Sequence, residues 1–117
     1  MKILICGGRD YSNWTLFVNV LSEYAGFEKA PTLISGGARG AGQMAERYAH
    51  DYDLNIKVYR ADWNAHGRAA GPRRNQLMLT AEAPDLILAF PGGRGTADMV
   101  RRARLQGFKV REISDEK

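Results

Sequence analysis

The sequence contains few of the residues that hold small proteins together through disulfides or metal ions. Its 117 residues include one cysteine and two histidines. A lone cysteine forms no internal disulfide, and Cys6 has no partners at metal-ligand spacing. We therefore expect Cys6 to be a small apolar residue at the end of a strand rather than a nucleophile. We also expect no metal and no cofactor.

Long apolar runs are missing as well. The longest, Leu86 to Phe90, stops at Pro91, far short of the roughly 20 residues that span a bilayer. The apolar stretch after Lys2 ends at Gly7, too early for the core of a signal peptide. We therefore expect a cytoplasmic protein with no membrane partner.

The best-marked catalytic and nucleotide-binding motifs are also absent. No stretch closes on Gly-Lys-Ser/Thr as a P-loop does, and no Ser/His/Asp set, H-E-x-x-H motif or Cys/His cluster is present. His50 and His66 are better explained as solvated or capping residues than as catalysts. The sequence therefore carries no full standard fingerprint of these classes.

Glycine, by contrast, is abundant and localised. Nine of the 13 glycines lie in three turns, each of which follows an apolar run and carries a Gly-Gly pair with an arginine close behind. Glycine lets a phosphate approach the backbone, and a helix N-terminus behind such a turn attracts anions. The first, second and third turns are Gly7-Gly8-Arg9-Asp10, Gly36-Gly37-Ala38-Arg39-Gly40-Ala41-Gly42 and Pro91-Gly92-Gly93-Arg94-Gly95-Thr96.

Strand and helix patterns alternate along the whole chain. This order predicts an α/β protein with a mostly parallel sheet of about five strands and helices on both faces, filling residues 1–117 as one domain. The carboxyl ends of parallel strands share one edge of the sheet, so the three glycine turns should meet there. The expected strands are residues 2–6, 32–35, 56–59, 86–90 and 109–113.

The helix after the first strand has an apolar face that includes Trp14, Phe17 and Leu21. Their three- and four-residue spacing predicts that this face packs on the sheet. The same residues are also candidates for a contact between subunits. We expect Gly26 to end the helix.

The segment from Arg60 to Gly71 is polar and interrupted by glycine, and we expect a long loop there. Asp62 and Trp63 either supply a carboxylate and an aromatic platform for a base, or anchor the loop by burying Trp63. Pro72 fits the first position of the next helix. Arg74 in that helix either reaches the pocket at the third turn or belongs to a basic surface cluster.

Three further side chains near the turns have two explanations each. Arg9 and Arg39 either bind phosphate through their guanidinium groups or hold the turns in shape. Asp98 is either a favourable acidic residue in the first turn of a helix, or a carboxylate that contacts a ribose. The net charge of +4 fits a phosphate-bearing partner, although part of it is Arg101, Arg102 and Arg104 on the last helix.

Taken in order, these motifs resemble the YspA/YpsA-related family of the SLOG superfamily over nearly the whole chain. The segments that carry the likeness are the three turns, Ala61-Asp62-Trp63, and Ala69-Ala70-Gly71-Pro72 with Arg74, Asn75 and Met78. The resemblance implies a Rossmann-like fold, a nucleotide-derived ligand such as NAD, ADP-ribose or AMP, and a homo-oligomer. The expected ligand-binding residues are Gly7, Gly8, Arg9, Asp10, Gly36, Gly37, Arg39, Gly40, Asp62, Trp63, Asn75, Pro91, Gly92, Gly93, Gly95 and Thr96.

The same superfamily contains the Lonely Guy enzymes, which hydrolyse the N-glycosidic bond of nucleoside monophosphates. Their motifs are similar to Arg74 to Met78 and Pro91 to Met99 here. On that match Arg74 and Asp98 are candidate catalytic residues, although Asp98 stands one position before the family's glutamate. One residue rotates a helical side chain by about 100°.

Three functions therefore follow from the sequence. Binding of a nucleotide-derived small molecule is the leading hypothesis. The first alternative is a phosphoribohydrolase-type N-glycosidase. The second is a single-stranded nucleic-acid binder of the DprA type, which the chain supports less because it lacks an aromatic strand face or a clustered basic stripe.

Overall fold

Five parallel strands form one sheet in the computed structural model, which describes residues 1–25 and 30–114. The strands are β1 (Lys2–Cys6), β2 (Thr32–Ser35), β3 (Ile56–Val58), β4 (Leu86–Ala89) and β5 (Val110–Glu112). Their order across the sheet is β3-β2-β1-β4-β5, and every neighbouring pair runs parallel. The predicted α/β fold of Rossmann-like type is confirmed.

Helices lie on both faces of this sheet. One face is covered by α1 (Trp14–Ala25) and α2 (Ala41–Asp51), and the other by α4 (Ala70–Glu82) and α5 (Arg94–Leu105). A short helix, α3 (Trp63–His66), and a 3-10 turn at Gly67–Ala69 precede α4. No helix among the described residues has the length and apolar character needed to cross a bilayer.

The two faces of the sheet have separate cores, because side chains alternate along each strand. In β1, Ile3 and Ile5 pack toward α1 and α2, whereas Leu4 packs toward α4 and α5. Phe17 and Leu21 of α1 are fully buried in the first core. Their assignment to the sheet is therefore confirmed, and their suggested role as an exposed subunit contact is wrong.

The order in which successive strands are added to the sheet reverses at β1. That strand pairs with β2 on one side and with β4 on the other. The chain then leaves β1 toward α1 on one face and leaves β4 toward α5 on the other. Ligands of open α/β sheets bind at such a switch point, outside the carboxyl ends of the strands.

The segment before α4 is more regular than the sequence suggested. The Asp62 side chain accepts a hydrogen bond from the Ala65 N–H at 3.0 Å, and this cap starts α3. Gly67, with φ of 52°, follows α3 directly and is the first residue of the 3-10 turn. The long loop predicted there is thus wrong, and Pro72 is the third residue of α4 rather than the first.

Helix ends mostly follow the expected residues. Helix α4 stops before Pro84, with Ala83 in the left-handed region at φ 43°. Gly107, at φ 85°, follows the last turn of α5 as predicted. The predicted end of α1 at Gly26 lies outside the described residues.

Candidate functional site

The three glycine turns meet at the carboxyl edge of the sheet and are hydrogen-bonded to one another. The Gly8 N–H donates to Pro91 O at 2.9 Å, which joins the first turn to the third. The Gly8 carbonyl accepts from the N–H groups of Tyr11 at 3.2 Å and Ala41 at 3.3 Å, which joins the first turn to the second. The predicted convergence of the turns is therefore present in the structure.

Some of these glycines are required by packing between the turns. Gly40 has φ of 73°, and a Cβ built on it would collide with the Gly8 carbonyl oxygen. A Cβ on Gly92 would collide with Thr96 Oγ1 and lie 2.6 Å from Gly8 N. Backbone segments that approach this closely leave no room for a side chain.

Two glycines of the third turn have no such explanation. Apart from their own chain neighbours, no described atom lies within 4 Å of a Cβ built on Gly93 or Gly95. Gly93 is the N-cap residue of α5, and no side chain caps the N-terminus of that helix. The first N–H groups of α5 have no intrahelical acceptor. The space beside Gly93 and Gly95 is therefore open next to the uncapped N–H groups at the start of α5.

A cleft of about 980 Å³ is lined by residues from all three turns, from α3 and from the start of α4. Most of the predicted site residues border it, and Cys6, Arg68 and Arg94 border it in addition. The predicted residues on its walls are Gly7, Gly8, Arg9, Asp10, Gly36, Trp63, Arg74, Asn75, Pro91, Gly92, Gly93, Gly95, Thr96 and Asp98.

Four predicted residues do not line the cleft. Arg39 lies in the second turn but is exposed and does not border the cleft. Asp62 caps α3, so its carboxylate is used within the chain. Gly37 and Gly40 have positive φ and shape the second turn, and Gly37 O accepts a hydrogen bond from Arg60 Nη1 at 2.9 Å. In this structure Asp62, Gly37 and Gly40 therefore shape the backbone around the cleft.

Arg74 is half-buried at the wall of the cleft rather than in a surface cluster. Its Nη1 donates to Gly36 O at 2.7 Å, and its Nε donates to Asn75 Oδ1 at 3.3 Å. Burial, and secondly the nearby charge of Arg9, lower the pKa of Arg74. A guanidinium nevertheless stays charged at neutral pH. No carboxylate within the described residues pairs with it, so the cleft wall has an uncompensated positive charge.

Asn75 connects this arginine to α5. Its side chain is almost fully buried, and its Nδ2 donates to Gly95 O at 3.2 Å and to Asp98 Oδ2 at 3.0 Å. With its Oδ1 accepting from Arg74, the amide has a partner on both sides. Asn75 thereby fixes Arg74 relative to the start of α5.

The Asp98 carboxylate is held by several donors. Besides Asn75, Arg102 Nε donates to its Oδ2 and Arg101 Nη2 to its Oδ1, both at 2.9 Å. Burial alone would raise the pKa of Asp98, but the hydrogen bonds from Asn75, Arg102 and Arg101 outweigh it and the net pKa is lowered. The carboxylate is therefore ionised at neutral pH and is unsuited to donating a proton.

Trp63 and Arg9 form an open wall of the cleft. The Trp63 side chain is 48 % exposed, and the Arg9 guanidinium lies 5.6 Å from the centre of its ring. This distance is within the range of a cation–π contact. The alternative in which Trp63 is buried as a loop anchor is wrong, and an accessible aromatic face borders the cleft instead.

Among the cleft residues that the sequence did not predict, three carry a thiol or a charge. Cys6 was placed correctly at a strand end, and burial followed by the charge of Glu112 raises its pKa to about 12, so the thiol stays protonated. Arg94 lies within the third turn itself, a signal that was available. Arg68 lies in the segment for which the sequence predicts a loop, so no pattern there indicates its position.

Comparison with known proteins relates the chain to one described family and to a phage protein. Residues 1–66 match the model of YAcAr, described as the YspA, cpYpsA-related SLOG family. The match includes the first two turns and Trp63. The Gene 61 protein of Mycobacterium phage D29 is 35 % identical over 124 aligned residues, which cover 97 % of each chain. This second likeness extends through Arg74 and the third turn.

Proposed function

This chain belongs to the YspA, cpYpsA-related SLOG family, and on that basis we propose that it binds a nucleotide or nucleotide-derived ligand of the NAD, ADP-ribose or AMP kind. The site is the cleft at the carboxyl edge of the sheet. One observation carries the proposal: Arg74, half-buried and without a carboxylate partner among the described residues, borders the same cleft as the uncapped start of α5.

The phosphate belongs at the third turn. The free N–H groups of α5 and the positive end of its dipole favour an anion there. Gly93 and Gly95 leave the space that a phosphate needs to reach those groups. Arg74 supplies a charge-assisted donor from the facing helix α4. Asn75 keeps that donor in position.

The base or sugar belongs beside Trp63. An exposed indole offers a flat apolar surface on which a ring can stack, and Arg9 already lies over the same ring system. Residues 62–69 are all exposed, so this wall is held in place by few contacts. We infer that Trp63 stacks on the ring of the bound nucleotide.

A thermal-shift screen with NAD, ADP-ribose and AMP tests this function. A ligand that binds only the folded state stabilises it by RT ln(1 + [L]/Kd), roughly 2.7 kcal/mol at a hundredfold excess over Kd. At least one of these compounds should raise the melting temperature, and Arg74→Gln should reduce the shift. If none of them changes the melting temperature of the wild-type protein, the proposal fails.

The two alternative functions have less support. As an N-glycosidase the protein would need Asp98 to face an oxocarbenium ion, yet that carboxylate accepts hydrogen bonds from Asn75, Arg101 and Arg102. For nucleic-acid binding, the arginines of α5 should form a free basic stripe. Arg101 and Arg102 pair with Asp98, and Arg104 pairs with Glu112 at 2.8 Å. Both alternatives stay predictions.

A further inference from the structure

The positive charges of the described residues divide into two groups. Half of the arginines have a carboxylate within 4.0 Å, and all of these except Arg60, which follows β3, lie on helices or strands. Within the same residues the other arginines have none. The unpaired arginines are Arg9, Arg39, Arg68, Arg73, Arg74 and Arg94.

All the unpaired arginines lie at the carboxyl edge of the sheet, in the glycine turns, the 3-10 turn or the first turns of α4 and α5. Few acidic side chains oppose them there. Asp10 borders the cleft, Asp62 caps α3, and Asp98 is already paired with Arg101 and Arg102. The arginines without a carboxylate partner are therefore concentrated at the edge of the sheet that carries the cleft.

Four of these arginines border the cleft, and one phosphate does not account for them. Arg74 and the start of α5 suit a single phosphate, and Arg9 lies over Trp63. Arg68 and Arg94 remain, both exposed and both on the cleft wall. The cleft volume of about 980 Å³ also stands at the upper end of the range of roughly 300–1,000 Å³ for small-molecule sites.

We propose that the ligand is a nucleotide with two or more linked phosphates, and that Arg68 and Arg94 bind the phosphate beyond the one at the start of α5. This inference rests on the proposed function and narrows it to a class of ligand. Guanidinium groups suit this task because they bind phosphate oxygens in pairs of parallel hydrogen bonds. A monophosphate leaves both arginines without an anion.

Isothermal titration calorimetry of the full chain with AMP, ADP and ADP-ribose tests the inference. The diphosphates should bind about tenfold or more tightly than AMP, because one added charge-assisted contact is sufficient for that difference. The double variant Arg68→Gln/Arg94→Gln should weaken the binding of ADP and ADP-ribose by about tenfold or more, beyond any loss of affinity for AMP. Lys109→Gln is the matched control, since Lys109 is exposed and precedes β5 at the opposite edge.

The outcomes separate this inference from the proposed function. If AMP and the diphosphates bind equally well, or the double variant weakens all of them equally, nucleotide binding stands and the diphosphate subsite is overturned. If Lys109→Gln weakens binding as much as the double variant does, the effect belongs to net charge and the subsite is again overturned. If no nucleotide binds the wild-type protein, both proposals fail. A thermal melt of each variant without ligand verifies that it is folded.

Discussion

Individual residues of the third turn differ in what they contribute to folding and to binding. A Cβ on Gly92 collides with Thr96 and approaches Gly8, whereas a Cβ on Gly95 meets open space. Gly92→Ala should therefore destabilise the protein by about 1–3 kcal/mol, as overpacking does. Gly95→Ala should stabilise it by about 0.5 kcal/mol, because alanine favours the helix, and should nevertheless weaken nucleotide binding. Urea denaturation and titration calorimetry measure the two effects.

The opposite signs make this comparison informative. A Gly95→Ala protein that is more stable and binds nucleotide as tightly as the wild type would show that the ligand does not lie against the third turn. Gly93→Ala, with the same open surroundings, tests binding at the N-cap position, where alanine brings no gain in stability.

Asp98 gives a prediction about pH at the same scale. Its pKa is below the ordinary value of 3.8, so its ionised form stabilises the folded state. This contribution is complete above about pH 4 and is lost as the pH falls through the lowered pKa. Asp98→Asn should cost about 1–3 kcal/mol at pH 7, since it weakens charged hydrogen bonds, and clearly less near pH 3. Urea denaturation of the wild type and the variant at both pH values measures this cost. A loss of stability that is the same at pH 7 and pH 3 would contradict the assignment.

At the scale of elements, α3 depends on its cap. No residue of α3 is buried, so its start relies on the bond from the Ala65 N–H to Asp62. Removing such a cap costs about 1 kcal/mol. Asp62→Ala should speed hydrogen exchange of the Ala65 amide and weaken nucleotide binding through Trp63. Global stability should change little. Hydrogen exchange followed by NMR measures the first effect, and unchanged exchange at Ala65 would show that the cap is dispensable.

The elements differ in how well the sequence predicts them. Strand and helix periodicity is local, so the buried face of α1, with Phe17 and Leu21, could be read directly. The cap at Asp62 is also local, but the glycines around it obscured the short helix. The link from Arg74 through Asn75 to Asp98 joins two helices 20 or more residues apart in sequence, and no periodicity records such a pairing. For this reason the sequence does not predict the bonds that the Asn75 amide makes inside the protein, and its contact with a ligand stays a prediction.

Across the whole molecule, Glu82 connects elements that are distant in sequence. Its side chain is 5 % exposed and pairs with Lys57 at 3.1 Å and Lys2 at 3.3 Å, and it also accepts from the Tyr59 hydroxyl. The bond from Tyr59 is the main reason that its pKa is lowered, with burial acting in the opposite direction. Glu82→Gln should lower the free energy of unfolding by about 1–3 kcal/mol, because it removes the charge from a buried carboxylate that accepts three hydrogen bonds, although its lysine partners are 40 % and 53 % exposed.

Glu46→Gln is the matched control for this prediction. Glu46 pairs with Arg60 at 3.2 Å, but the arginine side chain is 65 % exposed. Exposed pairs contribute roughly 0–1 kcal/mol. Urea denaturation of both variants should therefore separate them clearly, and equal losses would show that Glu82 is no more important than a surface pair.

The hydrogen bonds of Gly8 have a kinetic consequence. Because its N–H and its carbonyl tie all three turns together, the backbone that borders the cleft is held in place by the chain's own hydrogen bonds. Nucleotide binding then requires no slow rearrangement of this backbone. The observed rate of binding should rise linearly with nucleotide concentration and reach no plateau. Differences in affinity between ligands should lie mainly in their dissociation rates.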